Sequence, residues 1–149
     1  MVKKRILAIA SGGGHFVQLL RLRPAFEGHE VHFATVHPDS RAEVGDAPFH
    51  SFRDVSRADW WRLPLTTLDI AAILVRVRPQ VIITTGALPP LIAMALARPF
   101  GVRTLWIDSI ANSETLSGSG QLARKLATKV ITQWPGLKAP DVDHWGSVL

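Results

Sequence analysis

The chain has 149 residues, enough for one domain with its own core but few for a complete two-domain enzyme. It contains no cysteine, which excludes disulfides, thiolate metal sites and cysteine nucleophiles. The formal net charge of +5 favours anionic partners such as phosphorylated ligands or acidic lipid surfaces. Nucleic acid is not expected as a partner, because there is no helix-turn-helix pattern, zinc-ligand spacing or basic run with interleaved aromatics.

The sequence predicts neither a membrane span nor a secretion signal. No stretch is apolar over the roughly 20 residues that a spanning helix needs, and the longest candidates are interrupted by residues such as Arg76, Pro79 and Arg98. The basic start, 1–5, leads into an apolar segment as a secretion signal does, but the glycines from Gly12 onwards interrupt that segment too early.

The chain begins with a pattern of strand, glycine turn and helix. Residues 5–10 are apolar without alternation, which is typical of a central parallel strand covered on both faces. Three glycines follow, and the next segment places Phe16, Leu19 and Leu20 on one face of a helix. We therefore expect the glycine turn to join a buried strand to the start of a helix.

The glycine turn, Ser11, Gly12, Gly13, Gly14 and His15, suits a phosphate group. Free amides at the positive end of a helix attract anions, and glycines let an anion approach the backbone. The P-loop is excluded, because His15-Phe16 replaces its Lys-Ser/Thr ending. A dinucleotide fingerprint is incomplete, because its third glycine would fall on Val17. A tight turn without a ligand remains the alternative.

His15 favours the phosphate interpretation. An imidazolium at a helix N-terminus is disfavoured by the helix dipole, so a histidine there suits a neutral donor or a base beside an anion.

The remaining elements alternate between strand and helix. A second strand is predicted over 30–36, and Pro48 makes 47–52 an edge strand, because proline cannot donate to a central ladder. Further strands are predicted over 81–85, 103–107 and 129–132, the last being the final one. Helices are predicted over 65–77, from 89 or 90 to 97, and from 119 or 120 to 127. This alternation predicts a doubly wound, mostly parallel, Rossmann-like α/β domain spanning 1–149, with a C-terminal tail from about residue 133.

Polar segments follow four of these strands at their carboxyl ends. They are 11–15, 84–87, 108–114 and 133–135. Ligands of doubly wound sheets bind outside this edge, so we expect the segments to form one site. Besides the glycine turn, the candidate binding residues are Thr85, Gly86, Ser109 and Ser117.

Four motifs in this order carry a resemblance to a known family. They are Ser-Gly-Gly-Gly-His, Thr-Thr-Gly-Ala-Leu-Pro-Pro, Trp-Ile-Asp-Ser with Leu-Ser-Gly-Ser-Gly, and Gln-Trp-Pro. The chain resembles the PssD-type bacterial polysaccharide glycosyltransferase subunits. That family is similar to the membrane-recruiting subunit of the eukaryotic dolichyl-diphosphate N-acetylglucosamine transferase and to the N-terminal half of MurG. Gly118 stands where the family has a bulkier residue.

The resemblance implies the acceptor-side, N-terminal half of a GT-B glycosyltransferase in exopolysaccharide or capsule synthesis. It implies a separate partner chain with the nucleotide-sugar domain, a UDP-sugar donor and a polyprenyl-diphosphate-linked acceptor. It also implies a cytoplasmic location, peripheral on the inner face of the cell membrane. No cofactor and no metal are expected.

In this interpretation the glycine turn faces the acceptor diphosphate. An inverting transfer also needs a base for the acceptor hydroxyl, and the candidates are His15, Asp108 and Glu114. Each has a structural alternative: His15 as a phosphate donor only, Asp108 as a cap for the following segment, and Glu114 as a solvated loop residue. His15 is the favoured base.

Two aromatic segments lie outside the predicted site. Trp60, Trp61 and Arg62 suit a lipid interface, with the start of a core helix as the alternative. The tail contains Trp134 and Trp145 and ends on the apolar 148–149, so we expect it to dock on the partner chain. Deleting 144–149 should then leave a folded domain that binds its partner more weakly.

Two other functions remain open from the sequence. One is a non-catalytic scaffold that recruits a catalytic subunit to the membrane. The other is a small nucleotide-binding module, which follows from the glycine turn alone.

Overall fold

A single parallel sheet of seven strands organises the structure, a computed structural model that describes residues 2–148. The strands are β1 Arg5–Ile9, β2 Glu30–Thr35, β3 Phe49–Ser51, β4 Val81–Thr84, β5 Arg103–Ile107, β6 Lys129–Thr132 and β7 Val142–His144. Their order is β3-β2-β1-β4-β5-β6-β7, and every pairing between neighbours is parallel. The strand order reverses beside β1, which creates a crevice between the carboxyl ends of β1 and β4.

Four α-helices cover the two faces of the sheet. They are α1 Gly14–Arg21, α2 Leu63–Val77, α3 Leu88–Ala97 and α4 Gly118–Leu126. Short 3₁₀ helices occupy Arg23–Phe26, Pro38–Glu43, Arg57–Arg62, Arg98–Phe100 and Pro135–Leu137. Phe16 and Leu19 of α1 pack with Ile6 and Phe33 on one face, while α2, α3 and α4 cover the other. The predicted doubly wound α/β fold is therefore confirmed.

The strands are apolar because helices or other chain segments cover both sides of them. On β1, Leu7 and Ile9 face α2, while Ile6 and Ala8 face α1, and all four are buried. Burial on both faces explains why the segment shows no alternation of apolar and polar residues.

The predicted element ends differ from the structure in ways that local chemistry explains. The helix after the glycine turn begins at Gly14 rather than Phe16, so His15 lies in its first turn. The last helix begins at Gly118, because the Ser117 side chain accepts a hydrogen bond from the Gly120 amide and caps it. The edge strand is only three residues long and begins directly after Pro48.

The prediction that 129–132 is the final strand was wrong. Part of the predicted tail forms β7, which pairs with β6 from Val130↔Val142 to Thr132↔His144. Prolines at 135 and 140 limit this segment to a 3₁₀ turn and a three-residue strand, which needs no crossover helix. Met1, in the basic N-terminal segment, and Leu149, at the end of the predicted tail, lie outside the described residues.

Candidate functional site

The glycine turn places the uncapped N-terminus of α1 at the crevice. Gly13 is the N-cap with φ of 69°, a left-handed conformation that favours glycine. A Cβ at Gly12 would overlap Cδ2 of the exposed His37, so a side chain there would require that ring to move. Within residues 2–148 no side chain caps α1, and the Phe16 amide donates to the Gly13 carbonyl oxygen, so the Gly14 and His15 amides are the ones free to bind an anion.

His15 is held in one orientation by the loop after β4. Its Nδ1 lies 3.0 Å from the carbonyl oxygen of Thr85, and the Thr85 hydroxyl donates to the carbonyl oxygen of His15. A carbonyl only accepts, so Nδ1 carries the proton and Nε2 of the neutral ring is the basic nitrogen. Nε2 takes part in none of the hydrogen bonds found within 2–148. This half-buried ring thus presents a base at the crevice.

Gly86 makes room for this histidine. A Cβ at Gly86 would lie 3.0 Å from Cε1 and Nδ1 of His15 and 3.9 Å from Cζ2 of Trp106. Gly86 has φ of 128°, and the next residue, Ala87, has φ of 87°, which is strained for a residue with a side chain. The backbone strain therefore lies where the loop after β4 meets His15.

Asp108 joins the third motif to the start of α4. It is 1% exposed, and its carboxylate accepts from Trp106 Nε1 at 3.0 Å, Ser117 Oγ at 2.7 Å, the Ser117 amide at 2.9 Å and Asn112 Nδ2 at 3.3 Å. A Cβ at Gly120 would lie 2.5 Å from Asp108 Oδ1, so a side chain there would displace the carboxylate. Of its two predicted roles, the geometry favours the cap over the base.

These contacts bring three of the four motifs together. His15 touches Thr85 and Gly86, Gly86 lies above Trp106, and Trp106 donates to Asp108, which holds Ser117. The fourth motif joins through Gln133, whose side chain donates to the carbonyl oxygen of Asp108 at 3.0 Å.

A buried glutamine network, which the sequence reasoning missed, fixes the loop after β5. Gln18 of α1 donates to Ser109 Oγ at 3.1 Å and accepts from the Ile110 amide at 3.2 Å. Gln133 donates to the same Gln18 oxygen at 2.8 Å. Gln18 lies about 160° around α1 from Phe16, away from the apolar face, and it is buried where the loop after β5 packs on it, so the periodicity of the sequence carried no signal for it.

The other predicted site residues differ in exposure. Ser11 and Ser109 are buried beside the crevice. Glu114 is exposed, and none of the hydrogen bonds or ion pairs found in residues 2–148 includes it. No group of three or more potential metal ligands occurs within that range.

An exposed apolar face borders the site on the side of α2. Trp60 and Trp61 are 71% and 64% exposed, and Leu65, Leu68 and Val75 continue the exposed apolar surface along α2. None of the helices in the described part of the chain is long and apolar enough to cross a membrane.

Comparison with known proteins supports a relation to glycosyltransferase subunits. The chain is 25% identical to the mouse UDP-N-acetylglucosamine transferase subunit ALG14 in an alignment 170 positions long. The alignment covers 90% of this chain and 77% of that one. The rat protein of the same name is 26% identical over 166 residues, covering 89% and 76%. No family model matches the chain.

Solved structures show the same fold. MurG from Acinetobacter baumannii superposes with a TM-score of 0.78 at 14% identity, over 98% of this chain and 46% of that one. UDP-N-acetylglucosamine 2-epimerase from Rickettsia bellii gives 0.71 at 12% identity, over 98% and 45%. The chain thus spans slightly less than half the length of these proteins and has their Rossmann-like, GT-B type fold. Together with the two sequence relatives, this supports a GT-B glycosyltransferase-related chain.

Proposed function

We propose that the chain is the acceptor-binding subunit of a two-chain glycosyltransferase. It would act with a partner chain that binds a UDP-sugar and would transfer the sugar to a polyprenyl-diphosphate-linked saccharide. The observation that carries this proposal is the pairing of His15 with Thr85, which leaves a basic nitrogen beside the free amides of α1. The name of the mouse and rat relatives, a UDP-N-acetylglucosamine transferase subunit, supports the same class of reaction.

The proposed chemistry divides between the glycine turn and the histidine. The free amides of α1 would bind the acceptor diphosphate, since anions are stabilised at a helix N-terminus. His15 Nε2 would take the proton from the acceptor hydroxyl as its oxygen attacks the anomeric carbon and the UDP leaves. Asp108 would act as a positioning residue, because its oxygens already accept four hydrogen bonds.

The exposed face of α2 would rest on the cytoplasmic surface of the cell membrane. Indole rings favour the headgroup level, and Trp60 and Trp61 stand at the carboxyl edge of the sheet, where the site lies. A lipid-linked acceptor in the membrane would then reach the glycine turn without leaving the bilayer. Participation in exopolysaccharide or capsule synthesis is part of the proposal.

Reconstitution with a partner chain tests this function. The isolated chain should neither bind UDP or UDP-N-acetylglucosamine in calorimetry nor transfer sugar to lipid-linked acceptors in membrane extracts. Adding the partner, sought first in the neighbouring reading frame as a short nucleotide-sugar chain, should restore transfer. Turnover by the isolated chain would disprove the two-chain proposal, and tight nucleotide binding by it would favour the nucleotide-binding module.

The His15→Ala variant distinguishes a catalytic subunit from a non-catalytic scaffold. Loss of a general base lowers a rate by about 10²- to 10⁴-fold, and we expect a loss of this size in the two-chain complex. The half-buried ring contributes little to the core, so melting temperature and partner binding should change little. Gly136→Ala is a matched control, since a Cβ there meets nothing within 4 Å. Normal turnover by His15→Ala would rule out His15 as the base and would favour the scaffold.

A further inference from the structure

Gln18 is a buried polar residue to which the proposed reaction assigns no role. It lies one helical turn after His15 on α1, and it is 8% exposed. Its side-chain nitrogen donates to Ser109 Oγ at 3.1 Å, and its oxygen accepts from the Ile110 amide at 3.2 Å and from Gln133 Nε2 at 2.8 Å. All three hydrogen bonds join α1 to loops at the carboxyl edge of the sheet.

These hydrogen bonds hold the turn 109–112 against α1. The Asn112 amide donates to the Ser109 carbonyl oxygen at 3.0 Å, which closes the turn. Trp134 Nε1 donates to the Ile110 carbonyl oxygen at 2.7 Å and binds the turn from a second direction. The turn therefore has a fixed position relative to the first turn of α1, which carries the free amides and the proposed base.

The packing of α1 on the sheet does not explain why Gln18 is buried. Phe16 and Leu19 form the apolar face that packs there, and Gln18 lies on another side of the helix. A buried amide is unfavourable unless its polar groups have partners. Once satisfied, such a network selects one position for the elements that it joins, because hydrogen bonds tolerate only a narrow range of lengths and angles. The network is therefore suited to orienting the loop after β5.

We propose that Gln18 is a positioning residue for the lipid-linked acceptor, an inference that rests on the proposed function. It holds the turn 109–112 beside the first turn of α1, so the acceptor meets a wall of fixed shape when its diphosphate binds the Gly14 and His15 amides. Without Gln18 the turn must be ordered by the acceptor itself, and that cost weakens acceptor binding. The UDP-sugar is bound by the partner chain, so its affinity does not depend on Gln18.

Hydrogen exchange measured by NMR on the isolated chain tests whether Gln18 holds the turn. In Gln18→Leu we expect the Ile110 amide and the Trp134 indole N–H to exchange roughly tenfold faster. The Trp106 indole, which donates to Asp108 at 3.0 Å, should exchange as in wild type. Gln18→Asn, whose amide is one carbon shorter, should act like Gln18→Leu and replaces it if that variant does not fold. Gln18→Glu should restore slow exchange, because all three partners of Gln18 can donate to a carboxylate.

Kinetics of the two-chain complex test the role of Gln18 in the reaction. We expect Gln18→Leu to raise the KM for the lipid-linked acceptor roughly tenfold and to leave the KM for the UDP-sugar unchanged. Val77→Ala is the control for lost stability, because it removes buried atoms at the far end of α2. It should lower the melting temperature and leave both KM values unchanged.

Failure of the proposed function and failure of this role give different results. If the wild-type complex transfers no sugar, the proposed function is wrong and the role of Gln18 is overturned with it. If the complex is active and Gln18→Leu changes neither the exchange rates nor the acceptor KM, only the role of Gln18 is wrong. Faster exchange at Trp106 as well as at Trp134, or a lower kcat with both KM values unchanged, would show a general loss of structure and would also overturn it.

Discussion

Two histidines at the edge of the sheet give the fold a defined response to pH. His50 of β3 stacks on His32 of β2, with 3.1 Å between His50 Nε2 and His32 Nδ1, and His32 Nε2 donates to Glu30 at 3.0 Å. Because the Glu30 carboxylate only accepts, His32 Nε2 carries a proton. The other nitrogen of a neutral His32 ring, Nδ1, then accepts a hydrogen bond from His50 Nε2. Burial, together with the nearby His32 and Arg76 charges, lowers the pKa of His50 below its usual 6.5.

We predict that acid destabilises the fold in two steps. As pH falls below about 6.5, the unfolded chain gains a proton at His50 that the folded chain does not, so the free energy of unfolding decreases. The hydrogen bond from His32 lowers the pKa of Glu30 below 4.5, so a second loss begins near that pH. Urea unfolding from pH 8 down to about pH 3 measures both, because the second loss runs from about 4.5 down through the lowered pKa of Glu30.

The control for this prediction is a histidine outside the pair. His50→Gln should flatten the first step, whereas His29→Gln, which changes a half-buried ring hydrogen-bonded to the Lys4 amide, should leave it in place. The same pH dependence in wild type and His50→Gln would refute the assignment to this pair.

The sequence shows a residue's chemical class more readily than its partners. His15 was predicted from two local facts, the glycines before it and its place at a helix start. The Asp108 carboxylate accepts its hydrogen bonds from Trp106, Asn112 and Ser117, and Ser117 is nine residues further along the chain. No local sequence pattern distinguishes a carboxylate with four donors from one with none. Gln18 was missed for the same reason, since its partners are 91 to 115 residues away.

At the scale of elements, the strands and helices followed from patterns that their burial explains. The strands are covered on both faces and their apolar runs are continuous, so the sequence predicted six of the seven described strands. The exception, β7, is three residues long and has a polar and charged centre, because Asp143 pairs with Lys129 at 2.8 Å across the sheet edge. A strand stabilised by one neighbour and an ion pair carries no hydrophobic signature.

The helix α2 differs from the other helices in the surface it leaves exposed. It is apolar nearly all round, yet Leu65, Leu68 and Val75 are 47%, 66% and 70% exposed, and Trp60 and Trp61 extend this surface. A helix apolar on all sides is normally buried, so the outer side of α2 is suited to a further contact.

We predict that this surface binds acidic membranes through its tryptophans. Replacing both Trp60 and Trp61 by alanine should weaken binding to phosphatidylglycerol vesicles by roughly tenfold or more, since a buried large apolar side chain contributes about 1.5–3 kcal/mol. Trp145→Ala is the matched control, because Trp145 is as exposed as Trp61 but lies in the tail. An equal loss of vesicle binding in Trp145→Ala, or no loss in the double variant, would show that Trp60 and Trp61 do not bind the membrane.

At the scale of the whole molecule, the two faces of the sheet are covered unequally. Three helices pack on one face, while α1 is alone on the other, where it covers the part around β1 and β2. Over β4, β5 and β6 the cover is the segment 145–148, which forms part of the wall of an open apolar pocket of about 390 Å³ that Ile83, Ile107 and Ile131 also line. The Val148 amide donates to Gln133 at 2.8 Å, which fastens this segment to the site network.

The last prediction concerns this segment, whose Trp145 is 64% exposed although the segment lines an open apolar pocket. Truncation after His144 keeps β7 and its pairing with β6, so we expect a folded domain with a native circular dichroism spectrum. It should nevertheless bind the partner chain more weakly, because tryptophans at interfaces are often residues whose loss costs about 2 kcal/mol or more.

Trp145→Ala in the full chain should reproduce most of that loss in co-purification, whereas Trp134→Ala should not. Trp134 is only 37% exposed and donates from Nε1 to the carbonyl oxygen of Ile110 at 2.7 Å, which ties it to its own domain. If the truncated chain binds its partner with unchanged affinity, the tail is not the interface, and the partner must contact another surface such as the edge of the sheet. Unfolding after truncation would show instead that 145–148 is part of this domain's own core, since Ile83, Ile107 and Ile131 would lose cover that the fold requires.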